Sequence, residues 1–224
     1  MTSLRTTSII YDLDGTLIDS FPGIEAAFRR AVAVVLPGRE VPSLRTYIGP
    51  PIRGIVRAVF GELPEECVSL IEQRFRADYD TNGCLECALF PGVDSILSRL
   101  GELGLRQFVV TNKPAYPTGR VFGKFQLSEF IERFVAVDTI TPRFASKSEA
   151  TQHLLVTSRI DPEQCVLIGD SPDDAEAAAS TGVRFIGVAY GYGSARLPMK
   201  SRLLSRFTEL PLLLGLPSES DLRL

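Results

Sequence analysis

The chain has 224 residues, 45% of them hydrophobic and 23% charged, with a formal net charge of −3. That length suffices for one sizeable core, or for one core plus a small accessory domain. The charge balance favours neither nucleic acid nor an anionic membrane surface, and no apolar run approaches the roughly 20 residues that cross a bilayer.

The N-terminal "MTSLRTTS" has no apolar segment of the secretory kind, so a cytoplasmic location is expected. "SIIYDL" (8–13) follows, a continuous apolar run of the kind found in strands buried on both faces. It leads directly into Asp12, Leu13, Asp14, Gly15 and Thr16. Burying a charge is costly unless it is paired or bound to a metal. Side chains at i and i+2 of an extended chain share a side. Asp12 and Asp14 therefore face one place, and their repulsion needs a cation or a proton.

Between Asp19 and about Phe90 no strand is expected. "PGIEAAFRRAVAVVL" (22–36) and "PEECVSLIEQRFRADYD" (64–80) have helical periodicity, with Pro22 and Pro64 suited to first turns. "IGPPIRGIVRAVF" (48–60) offers a turn and a further helix. So much helix inserted after the first strand reads as a small all-helical domain at 19–87, leaving 1–18 and 88–224 as the core domain. "NGCLEC" holds Cys84 and Cys87 as C-x-x-C. A zinc site needs two further ligands, and the only histidine is His153, on an expected helix. Cys84 and Cys87 are accordingly expected to be two ordinary thiols, and His153 a structural or surface residue.

Beyond the insert, helical segments at 92–104, 115–126, 147–160 and 172–181 alternate with "QFVVT" (107–111), "RFVAV" (133–137), "CVLIG" (165–169) and "RFIGVA" (184–189). Such alternation predicts an α/β fold with a doubly wound parallel sheet. The tail "LPSESDLRL" is expected to be loosely held.

In open α/β sheets ligands bind at the carboxyl ends of the strands. There stand Asp12 and Asp14, then Thr111 and Asn112 in "VVTNK", then Asp170, Ser171 and Asp174 in "LIGDSPDD". Lys147, in "FASKSEA", opens the helix before the fourth strand. Carboxylates mixed with lysine and threonine suit Mg²⁺ and a phosphoryl group. Singly, each has an ordinary reading. Aspartates populate turns, Ser171 could cap a helix with Pro172 at its first position, Thr111 and Asn112 could be loop polars, and Lys147 could be solvated. Together, in order and at strand ends, they point to one site.

This constellation resembles the haloacid dehalogenase superfamily of phosphohydrolases. "DLDGTLIDS" is similar to that family's first motif, Thr111 to its second, Lys147 to its third and "GDSPDD" to its fourth. The helical insertion resembles the family's cap, so the likeness covers nearly the whole chain. "IGPPI", "TNKP" and "AYGYGS" further resemble the phosphoglycolate-phosphatase-like branch. Tyr11 departs from a common phenylalanine, a change expected to be confined to packing. Lys147 is followed by Ser148 rather than proline, and its distance from Asp170 favours it over Lys113 as the motif lysine.

The resemblance implies a Rossmann-like core and a Mg²⁺-dependent phosphatase acting on a small-molecule phosphate ester, as monomer or homodimer. It implies Asp12 as nucleophile and Asp14 as general acid and base. Mg²⁺ would be held by the Asp12 carboxylate, the Asp14 carbonyl and Asp170. Thr111, Asn112 and Lys147 would receive the substrate, Gly15 would let the chain turn close to phosphate, and Asp174 would orient Lys147 or a metal-bound water. The neighbouring Asp173 is a first-turn carboxylate favoured by the helix dipole. Arg45 and Arg53, flanking "IGPP", are the substrate candidates of the insert; Tyr190 and Tyr192 could line the entrance. A phosphomutase would use the same aspartate chemistry. A phospho-receiver domain shares the acidic cluster but needs neither the insert nor Asp14, and a non-catalytic binding module would not need every motif residue. Phosphoglycolate, a nucleoside monophosphate, a sugar phosphate and pyrophosphate all stay open as substrates.

Overall fold

Along the first strand, alternate side chains enter different cores. Ile9 and Tyr11 belong to one buried cluster and Ile10 to another, as the period of two requires for a sheet covered on both faces. The computed structural model describes residues 6–199 and 201–216. Most of "LPSESDLRL", expected to be loosely held, lies outside the described residues.

The chain runs β1 (Ser8–Tyr11), β2 (Ile18–Asp19), α1 (Phe21–Val35), α2 (Ile52–Phe60), α3 (Glu65–Tyr79), β3 (Ala88–Leu89) and α4 (Val93–Glu102). It continues through β4 (Arg106–Thr111), α5 (Ala115–Phe125), β5 (Arg133–Ala136), α6 (Lys147–Ser158), β6 (Cys165–Gly169) and α7 (Pro172–Thr181). It ends with β7 (Arg184–Val188), β8 (Leu203–Leu204) and α8 (Leu210–Leu213). The main sheet has the order β5-β4-β1-β6-β7-β8, with every neighbouring pair parallel. All five expected strands are present. β8 is an addition, too short for its two leucines to show periodicity.

One face of the sheet packs Ile9, Tyr11, Val109, Val166 and Ile168 against α4, α5 and Phe207. The other packs Ile10, Phe108, Val110 and Leu167 against α6 and α7. Tyr11 does more than fill space: its hydroxyl donates to Gln107 Oε1 at 2.9 Å in this buried layer. That hydrogen bond satisfies a phenol that burial would otherwise penalise. β1 lies between β4 and β6, so the chain leaves the centre of the sheet in both directions. The crevice at such a reversal is where doubly wound sheets place ligands, and Asp12 is the next residue beyond β1.

A third core lies off the sheet. Phe28, Val32, Ile55, Val56, Ile71 and Phe75, from α1, α2 and α3, form a separate buried cluster, with Phe28 stacked on Phe60 at 6.3 Å. Pro22 occupies the first turn of α1, whereas Pro64 sits one step earlier, at the N-cap of α3. The stretch expected to lack strands contains one: β3 pairs antiparallel with β2, Ile18 opposite Leu89 and Asp19 opposite Ala88. This two-residue ladder ties together the two segments that join the helical insert to the sheet. Pairing across such a sequence distance leaves no local pattern to read.

The insert also closes on its own exit. Gly23 in α1 donates its N–H to the Glu86 carbonyl at 3.1 Å, and a Cβ on Gly23 would lie 2.0 Å from the Gly83 oxygen. Gly23→Ala should therefore force the two segments apart and destabilise the fold by about 1–3 kcal/mol, the usual range for overpacking. Thermal unfolding would read this as a fall of several degrees, and an unchanged midpoint would contradict the contact.

Candidate active site

The carboxyl ends of β1, β4 and β6 bring the motif residues together. Asp12, Thr111, Lys147, Asp170 and Asp174 are all buried. Asp12 follows β1 directly, and its N–H donates to the Ile168 carbonyl at 2.8 Å. Asp170 follows β6. Ser171 caps α7 in a reciprocal box with Asp174: Asp174 Oδ2 accepts from the Ser171 N–H at 3.0 Å, and the Ser171 hydroxyl oxygen accepts from the Asp174 N–H at 3.4 Å. Two helix-end donors are satisfied in this way, and Asp174 is turned inward rather than to solvent. The capping reading of "GDSPDD" therefore holds, and the same box aims Asp174 toward Asp12 and Asp170.

Lys147 opens α6 with its ammonium between two carboxylates. It hydrogen-bonds Asp12 Oδ1 and stands 2.5 Å from Asp174 Oδ1. The second contact is an ion pair without hydrogen-bond alignment. Carboxylate oxygens of Asp12, Asp170 and Asp174 lie within 4.8 Å of one another. Burial lifts the Asp12 carboxyl well above the ordinary range; Lys147 pulls it back, while Asp174 and Asp170 push it further up. Asp170 is pushed up to about 6, by burial first and by Asp174, with the Gly193 N–H opposing. Burial opposes the charge on Lys147, yet Asp12 and Asp174 hold its pKa above the usual lysine value. Three carboxylates thus share one ammonium. This deficit of positive charge, on hard oxygen donors, fits a divalent cation such as Mg²⁺.

The Asp14 side chain stands outside that trio. Lys113, also buried, donates to Asp14 Oδ1 at 2.8 Å and to the Tyr79 hydroxyl at 2.5 Å. Tyr79 ends α3, so the helical insert reaches the rim of the sheet through this phenol. Burial opposes the Lys113 charge, and Asp14 and Tyr79 more than offset it. Asp12 and Asp14 accordingly each have their own lysine. Sequence spacing separated Lys147 from Lys113 as alternatives; in the fold both face carboxylates. Tyr79 carried no sequence signal, because it lies on an ordinary amphipathic helix.

Thr111 Oγ1 accepts the Lys113 N–H at 3.1 Å, leaving its own proton to donate. Asn112 is turned to Asp173, 3.2 Å away. Gly15 has φ +89°, and a Cβ there would lie 2.6 Å from Asp170 Oδ2; only glycine lets the turn approach the carboxylate so closely. Arg53 has ion-pair partners of its own within the insert. Its guanidinium pairs with Glu65 and, at 3.0 Å, with Glu72, so glutamates of α3 already balance its charge. Arg45 lies over the rings of Phe21 and Tyr192, at 5.4 and 5.7 Å. Cys67, Cys84, Cys87 and Cys165 are free thiols, and His153 packs against Phe144 at 5.3 Å. Among the described residues no helix is long and apolar enough to cross a membrane.

A family model described as haloacid dehalogenase-like hydrolase matches residues 9–188. Tyrosine-protein kinase PtkA of Mycobacterium tuberculosis is 36% identical over 191 residues, 84% of this chain and 63% of that relative. The chain thus spans less than two thirds of the kinase's length. The plasmid phosphoglycolate phosphatase of Cupriavidus necator is 34% identical over 195 residues, 85% of this chain and 84% of that relative. A solved structure of M. tuberculosis Protein Tyrosine Kinase A superposes with a TM-score of 0.80 at 31% identity, covering 95% of this chain and 99% of that one.

The raised Asp170 pKa has a stability signature. A carboxyl raised from its ordinary value near 4 to about 6 keeps its proton in the fold and loses it on unfolding. Its contribution is complete below about pH 4 and is lost as pH rises through about 6. In EDTA, the difference in unfolding midpoint between wild type and Asp170→Asn should therefore shift in favour of the variant from pH 4 to 6. A difference that stays constant across that interval would contradict the assignment.

Proposed function

The chain belongs to the haloacid dehalogenase-like hydrolases, and on that footing we propose that it is a Mg²⁺-dependent phosphatase. Its substrate would be a small-molecule phosphate monoester, hydrolysed through an aspartyl-phosphate on Asp12. The observation that carries this reading is the Lys147 ammonium clasping Asp12 within a buried trio of carboxylates. The proposed division is a core of 1–18 and 88–224 with a cap of 19–87.

Asp12 Oδ attacks the phosphorus while the bond to the leaving oxygen breaks. Asp14 gives that oxygen its proton. Water then attacks the aspartyl-phosphate, Asp14 takes the water's proton, and the bond from phosphorus to Asp12 breaks to release inorganic phosphate. Lys147 and the Thr111 hydroxyl hold the transferring oxygens, and Lys147 also offsets charge beside Asp12. Asp174 orients Lys147 from the far side. Asp12, Asp170 and the Asp14 carbonyl would hold Mg²⁺, whose charge would lessen repulsion between the phosphoryl group and the anionic nucleophile. The cap, with Tyr79 against Lys113, closes the leaving-group side and excludes water.

The relative named phosphoglycolate phosphatase supports a short acidic ester as substrate. The 36% identity with a protein named tyrosine kinase favours one second reading, transfer from ATP to a tyrosine. A phosphomutase of the same fold would instead require a bisphosphate activator.

With p-nitrophenyl phosphate, EDTA should abolish phosphate release and Mg²⁺ restore it, and Asp12→Asn should remove turnover. Asp14→Asn should slow an alkyl phosphate by about 10²–10⁴-fold and slow formation of the intermediate from p-nitrophenyl phosphate far less. Full activity in EDTA, or equal losses on both esters at the chemical step, would contradict this chemistry. Labelling of tyrosine by γ-phosphate of ATP without ester hydrolysis would replace it with the kinase reading.

A further inference from the structure

The loop after β7 reads Tyr190-Gly191-Tyr192-Gly193, and its two residue types face different parts of the molecule. The glycines press on Asp170. A Cβ on Gly191 would lie 2.1 Å from the Asp170 Cβ, and one on Gly193 would lie 2.8 Å from the Asp170 carbonyl oxygen. The Gly193 N–H donates to Asp170 Oδ2 at 2.8 Å. This loop is therefore the seat of one carboxylate of the trio.

The tyrosines grip the segments that join sheet and helical insert. The Tyr190 hydroxyl donates to the Thr16 carbonyl at 2.9 Å, and its ring lies 4.6 Å from that of Phe90. The Tyr192 hydroxyl donates to Asp19 Oδ1 at 2.6 Å and accepts the Phe21 N–H at 2.9 Å, at the entry to α1. Its ring packs against the insert's own core. Tyr192 thus spans from the insert to the catalytic turn, where its Cδ2 lies 3.1 Å from the place a Cβ on Gly15 would take. A second tie between the same two bodies lies away from the Asp170 seat: Lys124 Nζ, near the end of α5, donates to the Leu85 and Cys87 carbonyls, each at 2.7 Å.

We propose that Tyr192 is a positioning residue for the carboxylate cluster. By holding the entry to α1 it fixes the loop whose glycines seat Asp170, so the cluster is fully set only while the helical insert is docked. The physical basis is close packing: glycines with no free space beside Asp170 pass a displacement of the loop to the carboxylate rather than absorbing it. The proposal rests on the reading of that cluster as a Mg²⁺ site.

The test is calorimetric titration of the EDTA-stripped full chain with Mg²⁺ alone. Tyr192→Phe keeps the ring and removes the hydroxyl. It should weaken Mg²⁺ binding by about 3- to 10-fold, the scale of one or two hydrogen bonds, and speed hydrogen exchange at the Phe21 amide. Lys124→Ala, which frees the other tie, should leave Mg²⁺ affinity within about twofold of wild type. Should Tyr192→Phe fail to fold, Asp19→Ala removes the partner of the same hydroxyl and carries the same expected weakening. Unchanged Mg²⁺ affinity in the hydroxyl or Asp19 variant, even with faster Phe21 exchange, would overturn the proposal and leave the metal reading intact. So would an equal weakening in Lys124→Ala. A wild type that binds no Mg²⁺ would overturn both.

Discussion

One ammonium among three buried carboxylates governs the centre of this molecule. An isolated buried carboxylate is costly enough to take up a proton instead of staying charged. Lys147 offsets part of that cost by contacting Asp12 and Asp174 together. Those two acids come from the loop after β1 and the first turn of α7, and the lysine from the start of α6. The ion cluster therefore requires three separate elements to arrive in register. The capping box that satisfies the N-terminus of α7 also fixes Asp174, so local helix chemistry and long-range charge balance are met by the same side chain. The remaining excess of negative charge fits a divalent cation, and the proposed function places a phosphoryl group beside it.

Asp14 lives under a different constraint. Lys113 holds it from the sheet side and Tyr79 meets that lysine from the insert. The two aspartates of one short turn are thus partitioned between two environments, one sealed within the core and one at the boundary between core and insert. That partition suits the proposed division of labour between a nucleophile and a proton carrier. A group that must meet both leaving oxygen and water belongs at a boundary that can open, whereas a nucleophile gains from a fixed seat.

Much of this was legible because it is local. Ile9-Ile10-Tyr11 and Val166-Leu167-Ile168 are buried on both faces, so they read as apolar runs, and the residues after them fall at strand ends by necessity. What escaped the sequence is what depends on distant partners. The β2–β3 ladder joins residues on either side of the entire insert. The Tyr11 hydroxyl finds Gln107 across the core. Arg53 finds Glu65 and Glu72 on a different helix. Tyr79 and Lys113 meet only because the insert folds back on the sheet. Gly191 and Gly193 read as turn residues, while their contact with Asp170 exists only in three dimensions.

The central claim is that Asp12 becomes covalently phosphorylated. Its most direct test is rapid acid quench during turnover of a phosphate monoester, followed by borohydride reduction and peptide mass spectrometry. Phosphorylated aspartate is reduced under these conditions and free aspartate is not. The account predicts homoserine at position 12, at a level that rises with substrate and vanishes in EDTA. Modification at Asp14 or Asp170 instead, or none at any position while phosphate is being released, would contradict it.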